Sequence, residues 1–195
     1  MRGGLGGRIL LVRHPPVATA WAGRCYGRSD MGWSHEGAAI ARALAHRHAD
    51  EPLAAIVHSG LRRTRRLADL VARRHACPIV ADPRWAERDF GDWEGRTWQA
   101  IWRETGDAMD GMIHDPDGFR PGGGETGLEL ANRALAAWAD LPPGDPILVV
   151  AHAGPIAAIR CALAGDPLTA MPDHIVPTGT VVTVSRRLLP SPPSR

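Results

Sequence analysis

Short apolar runs alternating with helical stretches constrain this chain more than anything else in it. Arg8-Ile-Leu-Leu-Val12, Ala55-Ile-Val-His58, Cys77-Pro-Ile-Val-Ala81, Ile147-Leu-Val-Val-Ala151 and Thr180-Val-Val-Thr-Val-Ser185 are too short for helices and read as strands. Between them the sequence predicts a helix over Ser34–Ala45, capped by Ser34, and another running to about Ala76, capped by Ser59. Further helices are predicted near Trp98–Met109, from Thr126 or Glu125 to before Pro142, and over Gly154–Ala164. Strands alternating with helices build βαβ units. The expected fold is therefore α/β: a single domain, a three-layer αβα sandwich around a mostly parallel sheet. No internal repeat and no linker divides the chain, so one domain is expected over 8–187, with a flexible leader at 1–7 and a flexible tail at 188–195.

Composition permits such a core and narrows the setting. Hydrophobic residues make up 44% and charged residues 23% of the chain, which argues against wholesale disorder. No apolar run approaches the ~20 residues of a membrane span, and Met1-Arg-Gly-Gly-Leu-Gly-Gly7 lacks the apolar stretch of a secretory signal. Cys25, Cys77 and Cys161 are too few and too scattered for a disulfide framework or a zinc site. These features predict a cytoplasmic, reduced protein with no metal, no cofactor and no membrane partner. The net charge of +2 does not point to nucleic acid. All 23 cations are arginine. Most read as compositional bias on solvated faces; some could be planar forks for an anionic substrate, and only position separates the two.

Position begins at the strand ends, because ligands of open α/β sheets gather beyond the carboxyl ends of strands. One strand ends in Val12-Arg13-His14-Pro15. A second ends in His58-Ser59 and enters a helix carrying Arg62, Arg63, Arg65 and Arg66, and a third ends in Ala151-His152-Ala153-Gly154. Two histidines, several arginines and a helix N-terminus converging on one rim suit a phosphate. Residues 15–34 contain Pro15, Pro16, Gly23, Gly27 and Gly32 and form a long loop, which inside a compact domain is a functional one. That loop and the turn-rich insert at 105–125 are expected to roof the site, with Arg24, Tyr26, Arg28 and Trp33 as candidate contacts. Trp85, Trp93, Trp98 and Trp102 are expected to form either a dimer surface or a core edge. A nucleic-acid role for Arg62–Arg66 is not expected, since strand-binding patches extend along a face with aromatic platforms.

These residues also carry a family resemblance. Leu11-Val-Arg-His14 resembles the Arg-His-Gly signature of the histidine phosphatase superfamily, which includes the phosphoglycerate mutases. Val57-His-Ser-Gly-Leu-Arg-Arg-Thr-Arg-Arg-Leu-Ala68 resembles its Ser-Ser-Pro-Leu-x-Arg-Ala-x-x-Thr-Ala block. Glu87-Arg-Asp-Phe-Gly-Asp-Trp-Glu-Gly95 and Val150-Ala-His-Ala-Gly154 resemble the family's acid and second-histidine blocks. All four stand in the family's order. The chain departs from the pattern at Pro15, His58, Gly60, Leu67 and Ala153, none of them a proposed catalytic group.

The resemblance implies a phosphoglycerate mutase-like fold and assigns roles. His14 would be the nucleophile, forming a phosphohistidine that splits one difficult transfer into two easier ones. Arg13, Arg63 and His152 would bind phosphate and stabilise the transferring group; the block's register selects Arg63 and leaves Arg62, Arg65 and Arg66 solvated. Glu87 would be the general acid, its pKa raised through desolvation by Trp85 and Trp93. The loop Gly23-Arg-Cys-Tyr-Gly-Arg-Ser-Asp30 further resembles the α-ribazole phosphatases, implying that Tyr26, Gly27 and Arg28 contact substrate. The expected function is a metal-independent phosphomonoester hydrolase acting on a small molecule, with α-ribazole 5′-phosphate the leading substrate. The protein would be a monomer or homodimer. The alternatives are a phosphoglycerate mutase and an inactive phosphate-binding relative. Glu87 and His152 are only 65 positions apart, whereas the resembling mutases carry a longer insert there, so hydrolysis is favoured.

Overall fold

A computed structural model describes residues 7–187 and Leu189. Strands β1 (Arg8–Arg13), β2 (Ala55–His58), β3 (Ile79–Ala81), β4 (Ile147–Ala151) and β5 (Val181–Ser185) form one sheet in the order β3-β2-β4-β1-β5. All neighbours are parallel except β1 and β5. Arg13 lies opposite Ala151, and His58 opposite Val150. The central strands β2, β4 and β1 therefore end side by side, and Ser59, His152 and His14 follow those ends directly.

Alternate residues of these strands fill two cores. Leu10, Val12, Ile56, Leu148 and Val150 pack against α1 (His35–Arg47) and α2 (Arg62–Ala72). Ile9, Leu11, Val57, Ile147 and Val149 pack against α5 (Gly127–Ala139) and α6 (Ala153–Ala164) on the other face. This is the three-layer sandwich, and burial on both faces explains why the central strands are uninterrupted apolar runs. A third, smaller core of Cys25, Trp93 and Ile101 lies under α3 (Trp98–Thr105) and α4 (Gly111–His114), joined by Phe90, Trp98, Met109 and Met112.

Ser34 caps α1 as expected, accepting from the Gly37 amide at 2.9 Å. Thr126 caps α5 in a capping box with Glu129. Three expectations are corrected. Ser59 does not cap α2: Leu61 is the cap residue, makes no side-chain bond, and the Ser59 hydroxyl is used elsewhere. That helix ends at Ala72 rather than near Ala76. The single helix expected to Met109 stops at Thr105, because Gly106 turns the chain at φ +54°, and α4 resumes after one 3-10 segment. The leader and the tail lie outside the described residues, apart from Gly7 and Leu189. Among the described residues no helix is long and apolar enough to cross a membrane.

Candidate active site

The side-by-side ends of β1, β2 and β4 bring His14 and His152 together, with ring centroids 5.1 Å apart. His14 is 1% exposed, and its Nδ1 lies 2.8 Å from the Pro15 carbonyl oxygen. A carbonyl only accepts, so Nδ1 carries the proton and Nε2 keeps its lone pair. Burial first, then the Arg63 guanidinium, lowers the His14 pKa from 6.5 to about 3. The ring is neutral at neutral pH and presents the nitrogen that a nucleophile needs.

His152 is fully buried, and burial followed by Arg63 also pushes its pKa well down. Arg63 donates Nε–H to its Nδ1 at 3.2 Å. Nδ1 is therefore the acceptor, so Nε2 carries the proton and donates to Ser59 Oγ at 2.7 Å. Thr64 Oγ1 donates to the Leu61 carbonyl at 2.8 Å, so the Ser59 hydroxyl donates in turn to Thr64, also at 2.8 Å. Every proton in the chain Arg63–His152–Ser59–Thr64–Leu61 has one direction. Sequence reasoning passed over Thr64, which follows Arg63 where the resembling block carries alanine. As placed, both His152 nitrogens face protein partners, so the ring orients its neighbours rather than offering a donor to the cleft.

Glu87 is 8% exposed. Its carboxyl oxygens accept from the Ala153 and Gly154 amides at the start of α6, at 3.0 and 2.9 Å, and from the Arg88 amide at 3.0 Å. The helix N-terminus expected to greet a phosphate is thus engaged by Glu87. The N-terminus of α2 is likewise engaged, its Arg62 amide donating to Asp30 at 2.6 Å. Gly154 permits the approach to Glu87, since a Cβ there would stand 2.5 Å from Glu87 Oε1. Arg133, unflagged by sequence, splints the segment from behind: its guanidinium donates to the Arg84, Ala86 and Glu87 carbonyls and pairs with Glu125 at 2.6 Å. The expected influence of Trp85 and Trp93 is corrected. Trp85 is buried in the core beneath α5 and Trp93 in the small core with Cys25, whereas Phe90 and Trp98 share a cleft with Glu87. Trp102 is 58% exposed, so the four tryptophans do not form one surface.

That cleft, of about 180 Å³, is lined by Arg13, Arg24, Tyr26, Gly27, Glu87, Phe90, Trp98 and Ala153. Arg13 donates to the Val176 carbonyl at 2.6 Å, while its Nε is buried with no partner among the described residues. An anion would satisfy it. The Tyr26 ring lies 6.5 Å from that of His14 and 5.6 Å from the Arg63 guanidinium. Gly27 is held so tightly that a Cβ would meet the Arg88 carbonyl at 2.0 Å. Arg28 is a correction: its side chain reaches Asp89 and Glu125, at 3.7 and 3.8 Å, and Arg24 stands at the cleft instead. Trp33 also turns away, its indole donating to the Arg63 carbonyl at 2.8 Å. Glu94, which the sequence marks only as part of the acid block, fastens the loop by accepting from the Arg28 and Ser29 amides, both at 2.7 Å.

Arg63 is 0% exposed, and its fork is largely occupied, donating to the Ser29 and Gly27 carbonyls at 2.7 Å each. Arg62, Arg65 and Arg66 are exposed, as register implied. Most of the described arginines are exposed, as the sequence led one to expect, but several of the rest have a structural use. Arg88, Arg133, Arg160 and Arg186 also donate to backbone carbonyls, tying loops that no regular element holds. Among the described residues no group of three or more His, Cys, Asp or Glu side chains is arranged to hold a metal ion.

A sequence profile of the Histidine phosphatase superfamily (branch 1) matches residues 9–187. The probable phosphoglycerate mutase GpmB of Escherichia fergusonii is 30% identical over 163 residues, covering 82% of this chain and 76% of its own. Among solved structures, a mycobacterial glucosyl-3-phosphoglycerate phosphatase in complex with VO3 superposes with a TM-score of 0.81 at 28% identity, over 92% of this chain and 91% of its own. The α-ribazole phosphatase from Shigella flexneri shares the fold, with a TM-score of 0.81 at 23% identity over 93% of this chain and 95% of its own. The profile match begins within β1 and runs past the last strand of the sheet: the chain belongs to the histidine phosphatase superfamily, branch 1.

Proposed function

We propose that this protein hydrolyses a small-molecule phosphomonoester through a phosphohistidine on His14, without a metal. The observation that carries the reading is the His14 tautomer: a neutral, desolvated ring whose Nδ1–H is spent on Pro15, leaving the Nε2 lone pair. Nε2 attacks phosphorus while the ester P–O bond breaks, and Glu87 gives its proton to the departing oxygen. Glu87 then takes a proton from the water that attacks the phosphohistidine, releasing phosphate and restoring both groups. Arg13, with its unpartnered Nε, and Arg63 offset the charge on the transferring group.

α-Ribazole 5′-phosphate is the proposed substrate, supported by the 23–30 loop. The mutase reading is favoured by the names of curated relatives such as the Escherichia fergusonii protein, and opposed by the short span from Glu87 to His152. The deciding experiment traps the phosphoenzyme. Acid-labile phosphate should appear on the native protein, disappear in His14→Ala, and persist after chelator treatment. With 3-phosphoglycerate, release of inorganic phosphate supports hydrolysis, whereas dominant production of 2-phosphoglycerate reverses it.

A further inference from the structure

The cleft between Arg13 and Glu87 continues into a second cavity of about 280 Å³. Glu87, Phe90, Trp98 and Ala153 line both, so the acid carboxyl stands where the two meet. Beyond it the walls are Met112 and Ile113 of α4, Leu130 of α5, and Met171, Pro172 and Ile175 from the chain after α6. Ile113 and Ile175 are 39% and 50% exposed, apolar surface that a ligand in the cavity would cover. Among the described residues, Glu87 and Arg88 are the only charged ones in the lining. Arg88 is 5% exposed, donates to the Glu125 and Phe119 carbonyls at 2.8 and 3.4 Å, and lies 5.9 Å from the Phe90 ring. Apart from the Arg88 guanidinium, tied to those two carbonyls, the described lining presents acidic and apolar groups.

We propose that this cavity receives the alcohol half of the substrate, and that this alcohol bears an uncharged apolar group, aromatic or branched. The inference rests on the hydrolase reading and adds a substrate class to it. An acid that protonates the ester oxygen must stand beside the group attached to that oxygen, and the space on the far side of Glu87 from Arg13 is this one. A carboxylated alcohol such as phosphoglycerate would set its anion among methionine, leucine and isoleucine beside another carboxyl, losing hydration where the one cation in the described lining already donates to two carbonyls.

The test compares kcat/KM for 1-naphthyl phosphate, phenyl phosphate and 3-phosphoglycerate in the full-length protein and in Ile113→Glu and Ile175→Glu. These two positions lie on separate segments and are already partly exposed, so one misfolded variant does not decide the outcome. The native protein should prefer 1-naphthyl over phenyl phosphate by tenfold or more, mainly through KM, and 3-phosphoglycerate should be the poorest of the three. Either variant should bring the naphthyl-to-phenyl ratio close to one. A native ratio near one, a ratio unmoved in both folded variants, or preference for 3-phosphoglycerate overturns the apolar subsite, while a trapped phosphoenzyme keeps the hydrolase reading intact. If none of the three esters leaves acid-labile phosphate on the protein, the hydrolase reading falls and the subsite with it.

Discussion

Ser59 Oγ lies 2.7 Å from Nε2 of His152, and the direction of that bond is set from both ends. Arg63 can only donate to Nδ1, and Thr64 has given its own proton to the Leu61 carbonyl. Ser59→Ala leaves a fully buried imidazole N–H without an acceptor, which costs about 1–3 kcal/mol. Thr64→Val keeps that acceptor but takes away the one to which the Ser59 hydroxyl donates; a neutral hydroxyl that can rotate loses less, about 1 kcal/mol. Urea denaturation of the two variants, read as midpoints at equal slope, checks the order.

Glu87→Gln removes the transferable proton and keeps the shape of the group, at the cost of setting its NH2 where an oxygen accepts from a backbone amide. Turnover of alkyl phosphates should fall by about 10²–10⁴-fold, the usual worth of general acid catalysis. Nitrophenyl phosphate, whose leaving group needs little protonation, should lose much less. Steady-state rates against leaving-group pKa would show this as a steeper slope in the variant.

Gly154→Ala should imitate that pattern without touching the carboxyl itself. The new methyl stands 2.5 Å from Glu87 Oε1 and 2.9 Å from Leu130 Cδ2, so the carboxyl must leave the Ala153, Gly154 and Arg88 amides that hold it. The expected result is a lower kcat together with a lower denaturation midpoint, because buried amides lose their acceptor, checked by measuring both on one preparation.

Arg63→Lys should not be conservative. An ammonium cannot reach the Gly27 and Ser29 carbonyls and His152 Nδ1 together, as the planar fork does. The expected loss is about 3 kcal/mol of stability, since hydrogen bonds to charged groups are worth about 1.5–3 kcal/mol each. Arg13→Lys should spare stability more and raise the inhibition constant of inorganic phosphate.

Acid should weaken the fold before most carboxylates titrate. His14 and His152 have folded pKa values below the unfolded 6.5, so their contribution is complete above pH 6.5 and is lost as pH falls toward the folded values. Between pH 6.5 and 5 His14 should remove about 1 kcal/mol of stability per pH unit, and His152 should add to the loss in the same direction. Denaturation midpoints over that interval should slope less steeply in His14→Asn than in the native protein.

The strands and the convergence of His14 and His152 were legible because β1, β2 and β4 are apolar on both faces and the strand-end rule needs only their order, while the choice of Arg63 within Arg62–Arg66 came from the family resemblance. Ser59 misled for a definite reason. A serine before a helix is a cap by local preference, and only tertiary structure reveals the imidazole that claims its hydroxyl instead. Arg28 misled likewise, because its partners Asp89 and Glu125 are far away in sequence. Tryptophans near Glu87 in sequence turned out to belong to other cores, since an irregular segment carries no periodicity from which to read facing. The break at Gly106 and the wall formed by Met112, Met171 and Ile175 depend on how separate segments fold over one another, which no local pattern encodes.

The guanidinium–carbonyl fastenings have a consequence for acid–base chemistry at the site. Neither partner titrates under working conditions: arginine keeps its proton and a peptide oxygen has none to lose. The bonds from Arg63 to the 27–29 loop, from Arg88 to the 119–125 segment and from Arg133 to the strip before Glu87 therefore hold equally in acid and in base. A proton can come and go at Glu87, and a phosphoryl group at His14, while these ties stay constant, so the frame of the reaction is insulated from the reaction's own currency.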